Sequence, residues 1–334
     1  MKKILLFISI ALALSACKKE PSPTYISYPL AILINEGGYE SEIDMLAFNE
    51  KDLVLEDNTL RSSNDAVPRG EFHGLFMDGS GASYVLLSNQ DRLAQLDLAR
   101  FKLLENNILS DLAQPTAMSI SGYYLFVLNN GKVTSDTSSA YISVYAAADN
   151  YALKLKHKVN KGSNDIFVDD TYIYVAGPTG IEVYDVQTFI HIKTVPTPTA
   201  PKRFLVEPNS HITVSCPGYG LCNFDFNTLV IIDSLEVPVG ASGKMAIGRD
   251  NSEIYTYTDT GVYISSIPSQ HYEQVYAGTG ITGVGRSTST HYTYISTEGG
   301  TKQLVFDDKR ELLKEISTPS GGYTYLYSTR IIYE

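Results

Sequence analysis

A turn anchor that recurs along the whole chain limits the fold more than any other feature. It is an apolar or aromatic residue followed by a small polar or turn-starting one. It occurs at Phe48-Asn49, Leu96-Asp97, Tyr145-Ala146, Tyr184-Asp185, Phe224-Asp225, Ser265-Ser266 and Phe306-Asp307. The second members are spaced by 48, 49, 39, 40, 41 and 41 residues. A period near 40 built only of strands and turns marks a β-propeller, with one four-stranded blade per repeat. Ala146 and Ser265-Ser266 depart from the anchor in chemistry and keep its spacing.

The most compact repeat is Thr171 to Thr194. Tyr172 to Val175, Ile181 to Val186 and Phe189 to Ile192 read as three strands, because β-branched and aromatic residues alternate with turn formers. Pro178-Thr179-Gly180 supplies the tight turn between the first two. A strand also precedes each of the other anchors: Ala31 to Asn35, Tyr84 to Asn89, Tyr124 to Asn129, His211 to Ser215, Glu253 to Tyr257 and Tyr292 to Ser296. The best helix candidate, Asp97 to Asn106, fits a strand, turn and strand equally well.

Repeat one begins at what would be its second strand, whereas Gly322 to Ile332 is left over after repeat seven. That last strand can complete blade one and remove the open sheet edges. The expected fold is an all-β seven-bladed β-propeller whose C-terminal strand closes the ring with blade one. About 306 folded residues give roughly 44 per blade, within the range for such repeats.

The N-terminus reads as an export signal. Met1-Lys2-Lys3 is basic, Ile4 to Leu14 is apolar, and Leu14-Ser15-Ala16-Cys17 resembles a lipobox. The apolar run is short of the roughly 20 residues a membrane span needs. Lipidation is expected at Cys17, with residues 1–17 as signal and lipobox, 18–28 as a polar tether containing Pro21 and Pro23, and 29–334 as the propeller.

A net charge of −11 without a basic cluster argues against nucleic acid, which is bound through phosphate neutralisation. It argues equally against peripheral binding to anionic lipid, leaving the lipid anchor as the expected membrane attachment. Cys216 and Cys222, in SCPGYGLC, are expected to form a disulfide in an exported protein; a metal or redox pair is the rival reading. The six histidines lack zinc-type spacing, so no metal and no cofactor are expected.

In a blade labelled A to D from the axis outward, the D–A connections and the B–C turns share one face. The longest insertions, 36–42, 61–71 and 131–140, all fall on it. Loop insertions gathered on one face of a repeat protein mark its binding side. Candidate ligand-binding residues there are Asn35, Glu36, Tyr39, Arg69, Phe72, His73, Asn89, Gln90, Asn129, Asn130, Asn164, Asp165, Arg203, Lys244 and Tyr323. Amides, aromatic planes and a few charges suit a large polar small molecule with many hydrogen-bonding groups. For each asparagine alone, turn formation explains its presence as well.

Catalytic motifs are wanting: the sequence holds no Gly-x-Ser-x-Gly elbow, His-Glu-x-x-His or P-loop. Gly278, Gly280 and Gly283 match dinucleotide-loop spacing, but no helix opening follows them. Glu36, His73 and Asp165 could converge at the axis as in a propeller hydrolase or lyase. The expectation is nevertheless a binding protein and not an enzyme, with an envelope interaction scaffold as the other alternative.

Two stretches resemble the repeat of YVTN-type β-propellers: Tyr84-Val-Leu-Leu-Ser-Asn-Gln90 leading to Leu96-Asp97, and Tyr174-Val-Ala-Gly leading to Val183-Tyr184-Asp185. Leu33-Ile-Asn-Glu-Gly37 is similar to the start of outer-membrane lipoproteins in that superfamily. The resemblance covers roughly residues 29 to 334. Some such lipoproteins capture cobalamin for a TonB-dependent transporter, and related surface propellers capture iron–siderophore complexes. The resemblance therefore implies a corrinoid or siderophore ligand, a TonB-dependent transporter as partner, and a lipid-anchored place at the outer membrane, at the cell surface. No ligand-specific motif allows transfer of individual residues. Lys18-Lys19-Glu20-Pro21 also departs from the charged sorting signal that would follow the lipidated cysteine.

Overall fold

The structure, a computed structural model, describes residues 26–35, 44–59, 72–77, 83–87, 91–97, 102–104, 109, 112–131, 140–206, 212–248, 253–287, 289–318 and 323–333. Among these described residues, twenty-eight strands form seven four-stranded antiparallel sheets. Blade one holds β1 (Ile26–Asn35), β2 (Asp44–Asn49), β3 (Val54–Thr59) and, innermost, β28 (Tyr323–Tyr333). Blade two is β4 (Phe72–Met77), β5 (Ser83–Leu87), β6 (Arg92–Asp97) and β7 (Lys102–Leu104). Blade three is β8 (Pro115–Ser121), β9 (Tyr124–Asn129), β10 (Ala140–Ala146) and β11 (Ala152–Val159). Blade four is β12 (Ile166–Val168), β13 (Tyr172–Gly177), β14 (Gly180–Asp185) and β15 (His191–Pro196). Blade five is β16 (Arg203–Val206), β17 (Ile212–Cys216), β18 (Gly220–Asp225) and β19 (Val230–Glu236). Blade six is β20 (Ala246–Ile247), β21 (Ile254–Tyr257), β22 (Gly261–Ser266) and β23 (His271–Ala277). Blade seven is β24 (Gly283–Arg286), β25 (Thr293–Thr297), β26 (Lys302–Phe306) and β27 (Leu312–Ser317).

The ring closes as expected: β28 pairs with β1, from Asn35 opposite Tyr323 to Ile26 opposite Tyr333. Pairing thus starts at Ile26, ahead of the expected boundary at 29, because Ile26 to Tyr28 find partners in the last strand.

The second strand of each blade is buried on both faces, since each sheet is covered by a blade on either side. In β13, Ile173 and Val175 pack with blade three, while Tyr174 packs with blade five. This accounts for the unbroken apolar run from Ile173 to Ala176 where a one-sided sheet would alternate. The outer strands β15, β19 and β23 are largely exposed.

Where it carries Asn or Asp, the recurring anchor is a capped turn at the end of a blade's third strand. Asp185 Oδ1 accepts the Thr188 amide at 2.7 Å, and Asp225 Oδ1 accepts the Asn227 amide at 2.7 Å. Asn49 Oδ1 accepts the Lys51 amide at 2.9 Å, as Asp307 Oδ1 does that of Lys309. A left-handed residue then redirects the chain: Leu53 (φ 55°), Asn150 (47°), Phe189 (60°), Leu229 (55°), Gln270 (51°) and Arg310 (69°). In blade four this turn consumes Phe189 and Ile190, so β15 begins at His191 and not at Phe189 as the sequence suggested.

Candidate functional site

The D–A connections and B–C turns lie on the upper face, where β1 ends at Asn35. Asn35 and Tyr323 are cross-strand partners there, and Phe72 and His73 open β4 at the same level of blade two. Glu36, Tyr39, Arg69, Asn89 and Gln90 lie outside the described residues, as do insertions 36–42 and 61–71 and most of 131–140.

The remaining candidates stand at the end of the second strand of blade three and where blades four, five and six begin their innermost strands. Asn130, after β9, donates through Nδ2 to the Ser163 carbonyl at 3.1 Å, joining blade three to the segment leading into blade four. Its Oδ1 is buried without a protein partner. Asn164 repeats the bridge one blade on, donating to the Pro201 carbonyl at 3.1 Å. Its Oδ1 accepts from Lys202 Nζ at 2.9 Å. Asp165 accepts the Ile166 amide at 2.9 Å through Oδ1 and, across the blade boundary, the Phe204 amide at 2.8 Å through Oδ2. The lead-in to blade six presses on this group. Gly243, in the left-handed region at φ 65°, leaves no room for a side chain, because a Cβ would stand 2.6 Å from both Lys202 Cβ and Ser215 Oγ.

Sequence reasoning placed its candidates around the whole face; Asn130, Asn164, Asp165, Arg203 and Lys244 are among those that fall on blades three to six. It missed Lys202, whose role depends on an asparagine 38 residues earlier. The Pro201-Lys202-Arg203 run was the available signal. Asn129 is a correction: it is fully buried, and its amide is used internally. Its Oδ1 accepts the Ala113 amide at 3.0 Å and its Nδ2 donates to the Val127 carbonyl at 2.9 Å. It shapes the face and cannot meet a ligand.

The electrostatics of the arc differ from those of the acidic chain as a whole. Burial pushes the Asp165 carboxyl up, against the neighbouring Arg203 guanidinium and two backbone N–H groups that pull it down. Burial and then Arg203 lower the Lys202 amine. Burial alone lowers that of Lys244 to about 8. The Arg203 charge also acts on Tyr257, whose phenol burial raises and whose hydroxyl lies 2.9 Å from Ser242 Oγ. Three cationic side chains and one carboxylate therefore share a partly desolvated arc with amide groups. Such a set can hold an anionic or strongly polar group.

The cysteine expectation is also corrected. Cys216 and Cys222 are free and buried, with their sulfurs 3.8 Å apart. A disulfide requires about 2 Å. Cys222 stands opposite Val214, and Cys216 opposite Gly220, so the two are diagonal and not facing neighbours. The contact between them lowers the Cys216 thiol and raises that of Cys222. Gly278 to Thr282 lead into strand β24 and not into a helix, as expected.

Residues 1–17 match the family described as prokaryotic membrane lipoprotein lipid attachment site. The chain is a lipid-anchored β-propeller. No curated protein sequence matches it. Among solved structures it is similar to a candidate 6-phosphogluconolactonase from Bacteroides fragilis NCTC 9343, at 14% identity and TM-score 0.64, covering 93% of this chain and 100% of that one. A functionally unknown protein from Desulfotomaculum acetoxidans DSM 771 is similar at 12% identity and TM-score 0.63, covering 89% and 99%. Hydrazine synthase of Kuenenia stuttgartiensis is similar at 14% identity and TM-score 0.59, covering 75% and 87%. At these identities the likeness is one of fold.

Proposed function

We propose that this lipoprotein captures a bulky polar nutrient on its upper face and carries no catalytic activity of its own. The observation that carries the reading is the arc of Lys202, Arg203 and Lys244 with the amides of Asn130 and Asn164. A half-buried ammonium, that of Lys244, is retained there at a cost in stability, which is how functional sites, more than structural ones, hold charge. A corrinoid fits this chemistry, since it joins amide groups to a phosphate, and a ferric siderophore is the alternative ligand. Delivery to a TonB-dependent transporter, from an outer-membrane anchor at the cell surface, is the physiological role that follows from the resemblance to YVTN-type lipoprotein propellers.

Calorimetry of the chain from residue 18 onward against cobalamin and ferric siderophores tests the proposal. Saturable binding that Arg203→Ala weakens at least tenfold is the expected result. Absence of binding to all of them, with hydrolysis of a phosphorylated sugar lactone instead, would replace capture by the lactonase activity named for the Bacteroides fragilis protein.

A further inference from the structure

The described chain begins at Ile26, at the end of blade one opposite the candidate site. β1 runs from Ile26 on the lower face to Asn35 on the upper face, where it meets the start of β28. The chain therefore comes from Cys17 to the underside of blade one. Nine residue steps separate Cys17 from Ile26, a reach of at most about 32 Å. The nine steps of β1 from Ile26 to Asn35 rise about 30 Å. Laying the upper face on the bilayer that holds the anchor would require the connection to be fully extended along the blade, at the full entropic cost of ordering it. The lower face meets the bilayer without that cost.

The lower face has a feature suited to that position. Between blades three and four it opens a groove of about 510 Å³ lined by Tyr123, Tyr124, Phe126, Leu155, Val186 and Phe189. Tyr123, in the β8–β9 turn, is 75% exposed, and Tyr124 is 47% exposed. Tyrosine pairs an apolar ring with a polar tip and concentrates where a protein meets lipid headgroups. Blade four is three places from blade one in a ring of seven, so the groove lies across the ring from the point of attachment. Asp169, Asp170 and Lys154 edge the groove, with Lys154 paired to Asp149, so attraction to anionic lipid has little part in it.

We propose that the groove edge at Tyr123 and Tyr124 rests on the headgroup region of the anchoring membrane as a second point of contact. Anchor and tyrosines together hold the propeller flat, with its upper face turned to the bulk medium. This goes beyond ligand capture and stands whether or not the upper face binds a nutrient.

The chain contains no tryptophan, which makes single-tryptophan variants direct reporters. Full-length lipidated protein in phosphatidylcholine vesicles would carry Lys51→Trp on the underside of blade one, Tyr123→Trp, or Thr179→Trp on the upper face of blade four. All three positions are exposed turn residues. With lipids brominated near the glycerol, Lys51→Trp and Tyr123→Trp are expected to lose emission, at high salt as at low, while Thr179→Trp keeps it. Unchanged emission from Tyr123→Trp beside quenched Lys51→Trp would overturn the second contact. Equal loss from Thr179→Trp would overturn the orientation.

Discussion

Glu50 Oε1 accepts the Tyr294 hydroxyl at 2.8 Å, joining blade one to blade seven where the ring closes. Its Oε2 accepts the Ser287 hydroxyl at 2.9 Å, and the glutamate is 1% exposed. Phe48 packs edge-on against Tyr294 at 6.1 Å beside it. The Ser289 hydroxyl also donates to Oε2, at 3.2 Å. Glu50→Ala would remove the acceptor that these three hydroxyls share, and a loss of about 2–4 kcal/mol is expected. Tyr294→Phe, which removes one donor, is expected to cost about 1 kcal/mol. Urea unfolding of the two variants checks the order; equal effects would mean that the carboxylate does not lock the closure.

The blade count was legible because it rests on turn chemistry that side chains display. Asn49, Asp185, Asp225 and Asp307 are turn caps, and their spacing is the period of the fold. Ala146 and Ser266 have no carboxylate or amide, yet Asn150 and Gln270 still take the left-handed conformation four residues later. Turn length therefore persists where the cap is lost. Strand ends beyond the turn were less legible, since Phe189 is as good a strand former in sequence as it is a turn residue in space.

Asp185 gives a pH test of one such cap. The Thr188 hydroxyl and amide hold its carboxyl below the ordinary aspartate range. A carboxyl lowered on folding adds stability above its unfolded value and loses it as pH falls through the folded one. Asp185→Ala is therefore expected to destabilise at pH 7, with the difference from wild type shrinking as the pH is taken below 4. A difference that stays constant to pH 3 would mean that the charge plays no part.

The cysteine pair has an equally direct test. Cys216 and Cys222 are both fully buried, and burial adds to the rise of the Cys222 thiol. Native protein from residue 18 onward, prepared without reductant, is expected to give no reaction with an aromatic disulfide reagent, and the unfolded protein two reactive thiols. None on unfolding would show that the 3.8 Å gap closes to a bond in the exported protein.

The site was less legible than the fold because it forms between repeats. Asn130, Asn164 and Lys202 belong to successive blades, and only the ring brings their partners into range. Sequence could mark the face, by insertions and amides, but could not separate Asn129 from Asn130. The first turns inward to hold Ala113, and its neighbour reaches across to Ser163.

Lys244 joins the site to stability. Its amine titrates near 8 in the folded chain against 10.5 when unfolded. Between those values the unfolded chain holds the extra proton, so stability rises with pH across that window, and the cost of the buried charge is full below pH 8. Lys244→Met is expected to stabilise the protein at pH 7 by about 1–3 kcal/mol, allowing for its partial exposure, and the gain should fade by pH 10.5. The same variant should bind an anionic ligand more weakly at pH 7, while wild-type affinity should fall as pH passes 8. Urea midpoints at pH 7 and 10.5, with calorimetry at pH 7 and 9, measure both. A variant destabilised at pH 7 would mean that the ammonium serves the fold and not a ligand.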